Sequence, residues 1–299
     1  MSIQKWVLPI STSALFSILA GPALADCSAL PSWQSLKTAL TNVVAAGGNG
    51  GLGFNMWGTL VATDGTVCAV AFSGNGYVDQ WLGSRVISAQ KANTANAFSL
   101  GKGSTPATSA VKSAGLALST ANLFTAVQPG GSLYGLQHSN PVDTEVAYGN
   151  GNGQPGLSQA SFQQGQSSAQ NFGTQRDPMV GDRIGGVNVF GGGLALYQNG
   201  IRVGGLGVSG DTSCTDHMVA WKVRHALGLD SFNGVQGVAD AAHPDNIIFD
   251  IIPNGNIPTN DGGTGQAPTG TGGVGQSAGG FGHPKCLNNP DPSTLPAVH

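Results

Sequence analysis

One stretch decides the fold predicted for this 299-residue chain: Val203-Gly-Gly-Leu-Gly-Val-Ser-Gly210. It interleaves glycine with aliphatic residues, which is typical of a strand that another backbone or a ligand approaches closely. The dipeptide Asn199-Gly200 comes just before it and predicts a two-residue turn, so this strand is one arm of an antiparallel hairpin. A helix is predicted to follow over 215–227, with Ser213 or Thr215 as its N-cap.

The same glycines match the spacing of a dinucleotide-binding loop, Gly205-x-Gly207-x-x-Gly210. That interpretation fails because such a loop needs a parallel strand after its helix, whereas this strand belongs to a hairpin. Asp230 has the right spacing for the acidic residue of the motif, but it follows a helix end rather than a β run. A nucleotide site is therefore not predicted.

The composition of the chain limits which binding partners and which cellular location are expected. Charged residues make up only 9% of the chain and the net charge is −3, so no basic surface for nucleic acid is expected. Residues 1–25 have the pattern of a secretory signal, with Lys5, an apolar core and the small-residue site Ala23-Leu-Ala25. No later stretch is long and apolar enough to span a bilayer, so a periplasmic or secreted location is expected.

The four cysteines are interpreted as forming disulfides, because an exported protein is folded under oxidising conditions. Their scatter argues against a zinc site, and three pairings remain open, among Cys27, Cys68, Cys214 and Cys286. Cys286 lies beyond a Gly-rich run and is predicted to tie the tail of the chain to the core.

Hydrophobic periodicity and turn signals predict an α+β domain over 26–229. Helices are predicted over 32–46, 79–100, 108–124 and 215–227, and strands over 56–62, 66–72, 186–190, 194–198 and 201–209. Residues 128–182 are rich in Gly, Gln, Ser and Asn and are predicted to be an irregular surface insertion. Residues 230–299 form a C-terminal extension with a strand-like run at 246–252 and a low-complexity segment at 253–282.

Six short pieces, taken together, give the chain a likeness to a known family. They are Asp64-Gly65, Lys91-Ala-x-Thr94-Ala95 with Phe98, Gly185-Gly-Val187, Gly191-Gly-Gly193, the 203–210 stretch and Asp216-His217. With these pieces, 27–127 and 183–229 resemble the GlcG/HbpS-like haem-binding and haem-degrading family, whose domain also ends PduO-type corrinoid adenosyltransferases. The resemblance implies a single antiparallel five-stranded sheet flanked by helices, somewhat profilin-like, and homo-oligomers.

Haem is the cofactor that this resemblance implies, in preference to a corrinoid. A tetrapyrrole needs an axial ligand, an apolar slot and donors for its propionates. Gly205 and Gly207 leave a trough on one strand face, against which either a flat ring or a helix could lie. The turn at Ser209 and Gly210 could donate N–H groups to a carboxylate, or simply cap the following helix.

His217 is the predicted iron ligand, because it starts the last helix of the domain beside this glycine strand. Lys91 could pair with a propionate and Thr94 could be a weak oxygen ligand; alternatively, Lys91 reaches solvent and Thr94 bonds its own helix. Asn75 replaces the acidic residue that the family usually has after its second strand, and is a further candidate contact. Asp240-x-x-His243-x-Asp245 could bind a metal but is more simply the end of a short helix.

Three functions follow from these observations. The leading one is an exported haem-binding protein that sequesters haem or degrades it slowly. The alternative is a ligand-free structural or interaction module of the cell envelope, which the Asn75 departure and the long insertion favour. The third, a small-molecule enzyme of organic-acid metabolism, lacks a catalytic pair in the sequence. An open apolar trough beside His217 would favour haem, whereas a filled trough with His217 turned into the core would favour the module.

Overall fold

The computed structural model describes residues 27–104, 114–148, 168–251 and 280–299. The predicted signal peptide, the first part of the helix predicted over 108–124 and most of the low-complexity segment lie outside these ranges. Within them, we find no helix with both the length and the apolar character that crossing a membrane requires.

A four-stranded antiparallel sheet lies at the centre. Its strands are β1 (Trp57–Ala62), β2 (Val67–Phe72), β4 (Gly193–Gln198) and β5 (Ile201–Ser209). They lie side by side in the order β2-β1-β5-β4. Both predicted hairpins are present, and Asn199 has a φ of 52°, as the first residue of a type I′ turn requires. The antiparallel α+β class predicted from the sequence is confirmed.

The sheet has four strands rather than the predicted five, because residues 186–190 do not join it. Gly186 has a φ of 76°, so the chain bends there instead of extending. The polar groups of this segment bond to a helix instead of a strand: Asn93 donates to Gly186 O at 3.1 Å, and the Asn188 N–H donates to Thr94 Oγ1 at 2.9 Å.

Five helices are described: α1 (Trp33–Ala46), α2 (Gly83–Ala97), α3 (Thr120–Ala126), α4 (Thr144–Tyr148) and α5 (Ser213–Ala226). Ser32 caps α1 as predicted from its position. The N-cap of α5 is Thr212, one or more residues earlier than expected, because its hydroxyl accepts from the Thr215 N–H. The long helix α2 is shorter than the predicted 79–100, since Phe98 already leaves the helical conformation.

Side chains of β1 point alternately to the two faces of the sheet, and each face has its own apolar core. Leu60 packs with the buried faces of α1 and α5, including Leu40 and Val219. Trp57 and Val61 point to the other face and pack with α2 and with the end of the long insertion. The sheet is therefore covered on both sides, and its strands are buried almost throughout.

The insertion and the tail both return to the core. Asp177 in the insertion is buried and forms a salt bridge with Arg85 of α2, so this part is not the surface excursion that was predicted. The predicted run 246–252 contributes β7 (Phe249–Ile251), which pairs in parallel with β8 (His283–Pro284); a second small parallel pair joins β3 (Leu116–Ala117) and β6 (Gln236–Gly237).

Two disulfides complete the fold, Cys27–Cys68 and Cys214–Cys286. The prediction that Cys286 ties the tail to the core is thereby confirmed, and its partner is the first turn of α5. Disulfides are typical of exported proteins, so this finding is compatible with the predicted location.

Candidate functional site

The face of β5 that was predicted as a trough is covered by helix α2. A Cβ at Gly207 would lie 1.9 Å from Ser88 O, and a Cβ at Gly205 would lie 2.3 Å from Ala92 O. Both glycines therefore serve close packing between the helix and the strand, which was one of the two roles that the sequence allowed. No space for a flat ring remains between α2 and β5.

Lys91 reaches across this contact and ends in the protein interior. Its Nζ lies 2.7 Å from Asp216 Oδ2, and it also donates to Val208 O at 3.3 Å and to Ser209 Oγ at 3.4 Å. The Phe190 ring lies 4.0 Å from the same Nζ. Lys91 and Asp216 are completely buried, so the amine neither reaches solvent nor is available to a propionate.

Asp216 occupies the turn that was predicted to bind a ligand's carboxylate. Its Oδ1 accepts from the backbone N–H groups of Gly210 and Asp211, at 3.0 and 2.9 Å. Burial raises the pKa of Asp216 to about 6, against the opposing effect of Lys91. The carboxylate is therefore ionised at neutral pH, and the anion site beside α5 is filled by the protein itself.

His217 lies one residue further along α5 and is also completely buried. Its Nε2 is 3.1 Å from Asn246 Oδ1, while the amide nitrogen of Asn246 donates to Pro292 O at 3.0 Å. The Ile247 N–H also donates to Nε2, at 3.1 Å. Nε2 therefore faces both an acceptor and a donor, and its contacts are compatible with either tautomer of the ring.

Nδ1 of His217 has no hydrogen-bond partner among the described residues, although it is buried. Burial lowers the pKa of His217 to about 3, so the ring is neutral at physiological pH. A metal-ligating histidine is likewise neutral. The ring thus has the charge state of a ligand, but it is completely buried and has no open approach from solvent.

The two remaining predicted contacts lie apart from His217. Thr94 donates to Gln90 O at 2.8 Å within its own helix and accepts from Asn188, so its hydroxyl is already satisfied. Asn75 is exposed in a turn whose N–H groups bond to Asp79. Lys91, Ser209, Gly210 and the histidine region are brought together, whereas Asn75 is not part of that cluster.

Neither of two open spaces in the described part of the molecule places a tetrapyrrole beside His217. A cavity of about 110 Å³ beside Asp211 and Met56 is too small, since pockets for molecules of this class are about 300–1,000 Å³. A groove of about 450 Å³ runs between α1 and the end of α5, at Ala226 and Leu227. It lies roughly 13 Å along α5 from His217, so neither space brings a ring to the predicted ligand.

The predicted Asp240-His243-Asp245 metal group is divided between different partners. His243 Nδ1 bonds to Asp240, but Asp245 pairs with Arg224 inside the core. Cys214, His283 and Cys286 have their ligand atoms within 4.8 Å of one another, yet both sulfurs form the disulfide.

Sequence reasoning missed two further buried ion pairs, Arg85–Asp177 and Arg224–Asp245. Arg224 also lies over the rings of Trp221 and Phe232. The sequence does contain a signal for these pairs. Only 9% of its residues are charged, and an Arg or Lys within an apolar helical stretch is expected to be buried beside an acidic partner.

Comparisons with known proteins add two distant likenesses. No protein-family model matches the sequence, and neither does any curated protein. One similar structure is the Klebsiella pneumoniae protein ORFY, of the family model DUF336, at 19% identity and a TM-score of 0.37, over 65% of this chain and 86% of that one. Another is a PduOC:haem complex at 23% identity and a TM-score of 0.37, over 65% of this chain and 90% of that one. At these scores the likenesses indicate nothing about the ligand or activity of this chain.

Proposed function

We propose that this protein is an exported, disulfide-stapled interaction module whose predicted tetrapyrrole face is closed by its own helix. The observation that carries the proposal is the contact of α2 with Gly205 and Gly207, which leaves no room for a ring. The buried Asp216 carboxylate supports it, because it bonds both to Lys91 and to the turn N–H groups that were expected to hold propionates. The two disulfides and the signal-like leader support export.

An exposed apolar patch supplies the surface for such an interaction. It consists of five side chains that are 39–64% exposed: Leu52, Phe54, Val78, Trp81 and Leu82. The rings of Phe54 and Trp81 are in edge-to-face contact at 5.1 Å. Exposed aromatic and aliphatic side chains grouped in this way are typical of protein–protein contacts.

The patch is held rigidly by the core beneath it. The Trp57 indole donates to Trp81 O at 2.9 Å, and the N–H groups of Leu52 and Phe54 both donate to the Asp211 carboxylate. A surface that is already ordered loses less entropy on association. We assign a second copy of this chain as the partner, because the apolar side chains of the patch can pack against the same side chains of a copy across a two-fold axis.

Sedimentation of the mature protein at rising concentration tests this assignment. Wild type should associate, and Trp81→Ser should shift it towards the monomer because the central aromatic anchor is removed. Tyr134→Ser is the matched control, since Tyr134 is equally aromatic and exposed but lies elsewhere in the sequence. A wild type that stays monomeric, or a control that dissociates as much as Trp81→Ser, would contradict the proposal.

Haem binding through His217 is the second candidate, and the protonation state of that ring favours it. The imidazole is neutral, as a metal ligand must be, and its Nδ1 has no hydrogen-bond partner among the residues that the structure describes. Because His217 is fully buried, haem could reach it only if the segment around Asn246 moved away.

Titration with haemin, followed in the Soret band, separates the two candidates. A saturable shift that His217→Ala abolishes and His243→Ala leaves unchanged would establish the haem candidate and refute the closed module. Absence of any saturable shift supports the module. A shift that is identical in wild type and His217→Ala would refute His217 as the ligand and require another haem site.

A further inference from the structure

We propose that His225, Asp230 and His299 form a binding site for a divalent first-row transition ion such as Zn²⁺. The three residues lie at the far end of α5 from His217. Neither the interaction module nor the haem candidate uses them, so the site is independent of both.

The three side chains already converge on one another. Nδ1 of His225 lies 2.7 Å from one oxygen of the Asp230 carboxylate, and Nδ1 of His299 lies 2.8 Å from the other oxygen. The two imidazole rings are stacked with their centroids 4.8 Å apart and their planes 10° apart. One ligand atom from each residue lies within 4.8 Å of the other two.

These distances suit a shared ion after small side-chain rotations. Zinc binds histidine nitrogen and carboxylate oxygen at about 2.0–2.2 Å, so two ligands of one ion lie up to about 4 Å apart. Two imidazoles and one carboxylate are a donor set for Zn²⁺, Cu²⁺ or Ni²⁺, whereas Mg²⁺ and Ca²⁺ prefer oxygen alone. The His225 side chain is 34% exposed and that of His299 is 62% exposed, so an ion can enter from solvent and keep water as a further ligand.

The backbone holds the two outer ligands against the buried carboxylate. The His299 N–H donates to Asp230 O at 3.0 Å, and the Phe232 N–H donates to His299 O at 2.7 Å. Upstream, Leu295 is buried and the Trp221 indole donates to Pro296 O at 2.9 Å, so the segment leading to His299 is docked.

Local electrostatics at the site also favour a cation. Asp230 has only 1% of its side chain exposed, and among the residues that the structure describes its ion-pair partners are two imidazoles and no Lys or Arg. His225 lies in the last turn of α5, where the free carbonyl groups carry partial negative charge. Without an ion, the same geometry serves as a hydrogen-bonded clamp in which both rings bond to Asp230. A metal would bind where the two Nδ1 protons are, and each neutral ring would then carry its proton on Nε2.

Calorimetric titration of Zn²⁺ into untagged, EDTA-treated full-length protein tests the site. We expect one ion per chain, with affinity lowered about tenfold or more in His225→Ala and in His299→Ala, since loss even of an outer partner costs that much. His138→Ala is the control, and it should bind like wild type.

Thermal unfolding gives a second measurement on the same proteins. Zn²⁺ should raise the Tm of wild type and of the control, and raise that of His299→Ala by less at the same Zn²⁺ concentration. Because His299 is mostly exposed, its replacement should not prevent folding. Failure of wild type to bind Zn²⁺, or equal binding by wild type and His299→Ala, would overturn the proposal and leave the cluster as a hydrogen-bonded clamp.

Discussion

Replacing Gly207 with alanine tests whether α2 seals the glycine face of β5. The added Cβ would lie 1.9 Å from Ser88 O and 2.6 Å from Ala92 N, about 1.5 Å and 0.8 Å short of the ordinary contact limit of 3.4 Å. Neither partner can yield easily. β5 lies between β1 and β4, and α2 is held to the rest of the molecule by the Arg85–Asp177 and Lys91–Asp216 pairs.

Relief of this clash would push the helix away from the sheet and open the interface between them. Overpacking of a core by one methyl group usually costs about 1–3 kcal/mol, and a backbone-to-backbone contact lies at the upper end. Against this stands a gain of about 0.5–1 kcal/mol, because alanine loses less backbone entropy than glycine on folding. We therefore expect Gly207→Ala to lower the free energy of unfolding by about 2–2.5 kcal/mol.

Urea denaturation with an unchanged m-value measures this difference. Gly83→Ala is the matched control, because Gly83 is the first residue of α2 and a Cβ there meets no atom within 4 Å. The control should be neutral or stabilised by up to about 1 kcal/mol. If Gly207→Ala differed from wild type by less than the control does, α2 would not be packed on β5. The trough would then be open, and the haem hypothesis would regain its site.

Two further predictions concern the buried charges and the buried rings. Lys91→Met should lower the free energy of unfolding by about 3–5 kcal/mol by leaving Asp216 unpaired, and adding Asp216→Asn should restore most of it in a double-mutant cycle; equal losses in the single and double variants would argue against the pair. Stability should rise between about pH 3 and pH 6.5, because burial holds the pKa of His217 at about 3 and that of His283 at about 4, so the unfolded chain binds more protons in that window. Asp216 opposes this rise between pH 3.8 and about 6, since its raised pKa makes the folded state the better proton binder there. Urea midpoints across this range should therefore rise less steeply in His217→Gln, and an unchanged slope would show that His217 is not buried as a neutral ring.

Much of the fold could be predicted because it depends on neighbours in the sequence. The Asp64-Gly65 and Asn199-Gly200 turns specify their hairpins through local φ preferences, and Ser32 starts α1 through a bond to Ser35. Residues 186–190 misled the same reasoning, because their alternation of apolar and polar residues resembles a strand. The positive φ of Gly186 and the side chains of α2 decide otherwise.

The candidate site shows the limit of sequence reasoning more clearly. The sequence placed several of its predicted members near the glycine strand, since Gly207, Ser209 and His217 follow one another along the chain. The sequence does not show which side chain each of these residues bonds to, because Lys91 and its partner Asp216 are 125 positions apart. A buried charge is stable only beside its counter-charge, and that depends on how helices are placed in space.

The sequence by itself determined the two hairpins, the α+β class, the N-cap of α1 and the need for Cys286 to be bonded, because each follows from turn chemistry, periodicity or composition within a short stretch. Only the tertiary structure decided that a helix, and not an open slot, covers Gly205 and Gly207. Only it brought His299 to His225 and Asp230. Glycine permits close approach by any group, and ligand sets from distant segments form only once the whole chain is packed, so neither outcome is written in a local pattern.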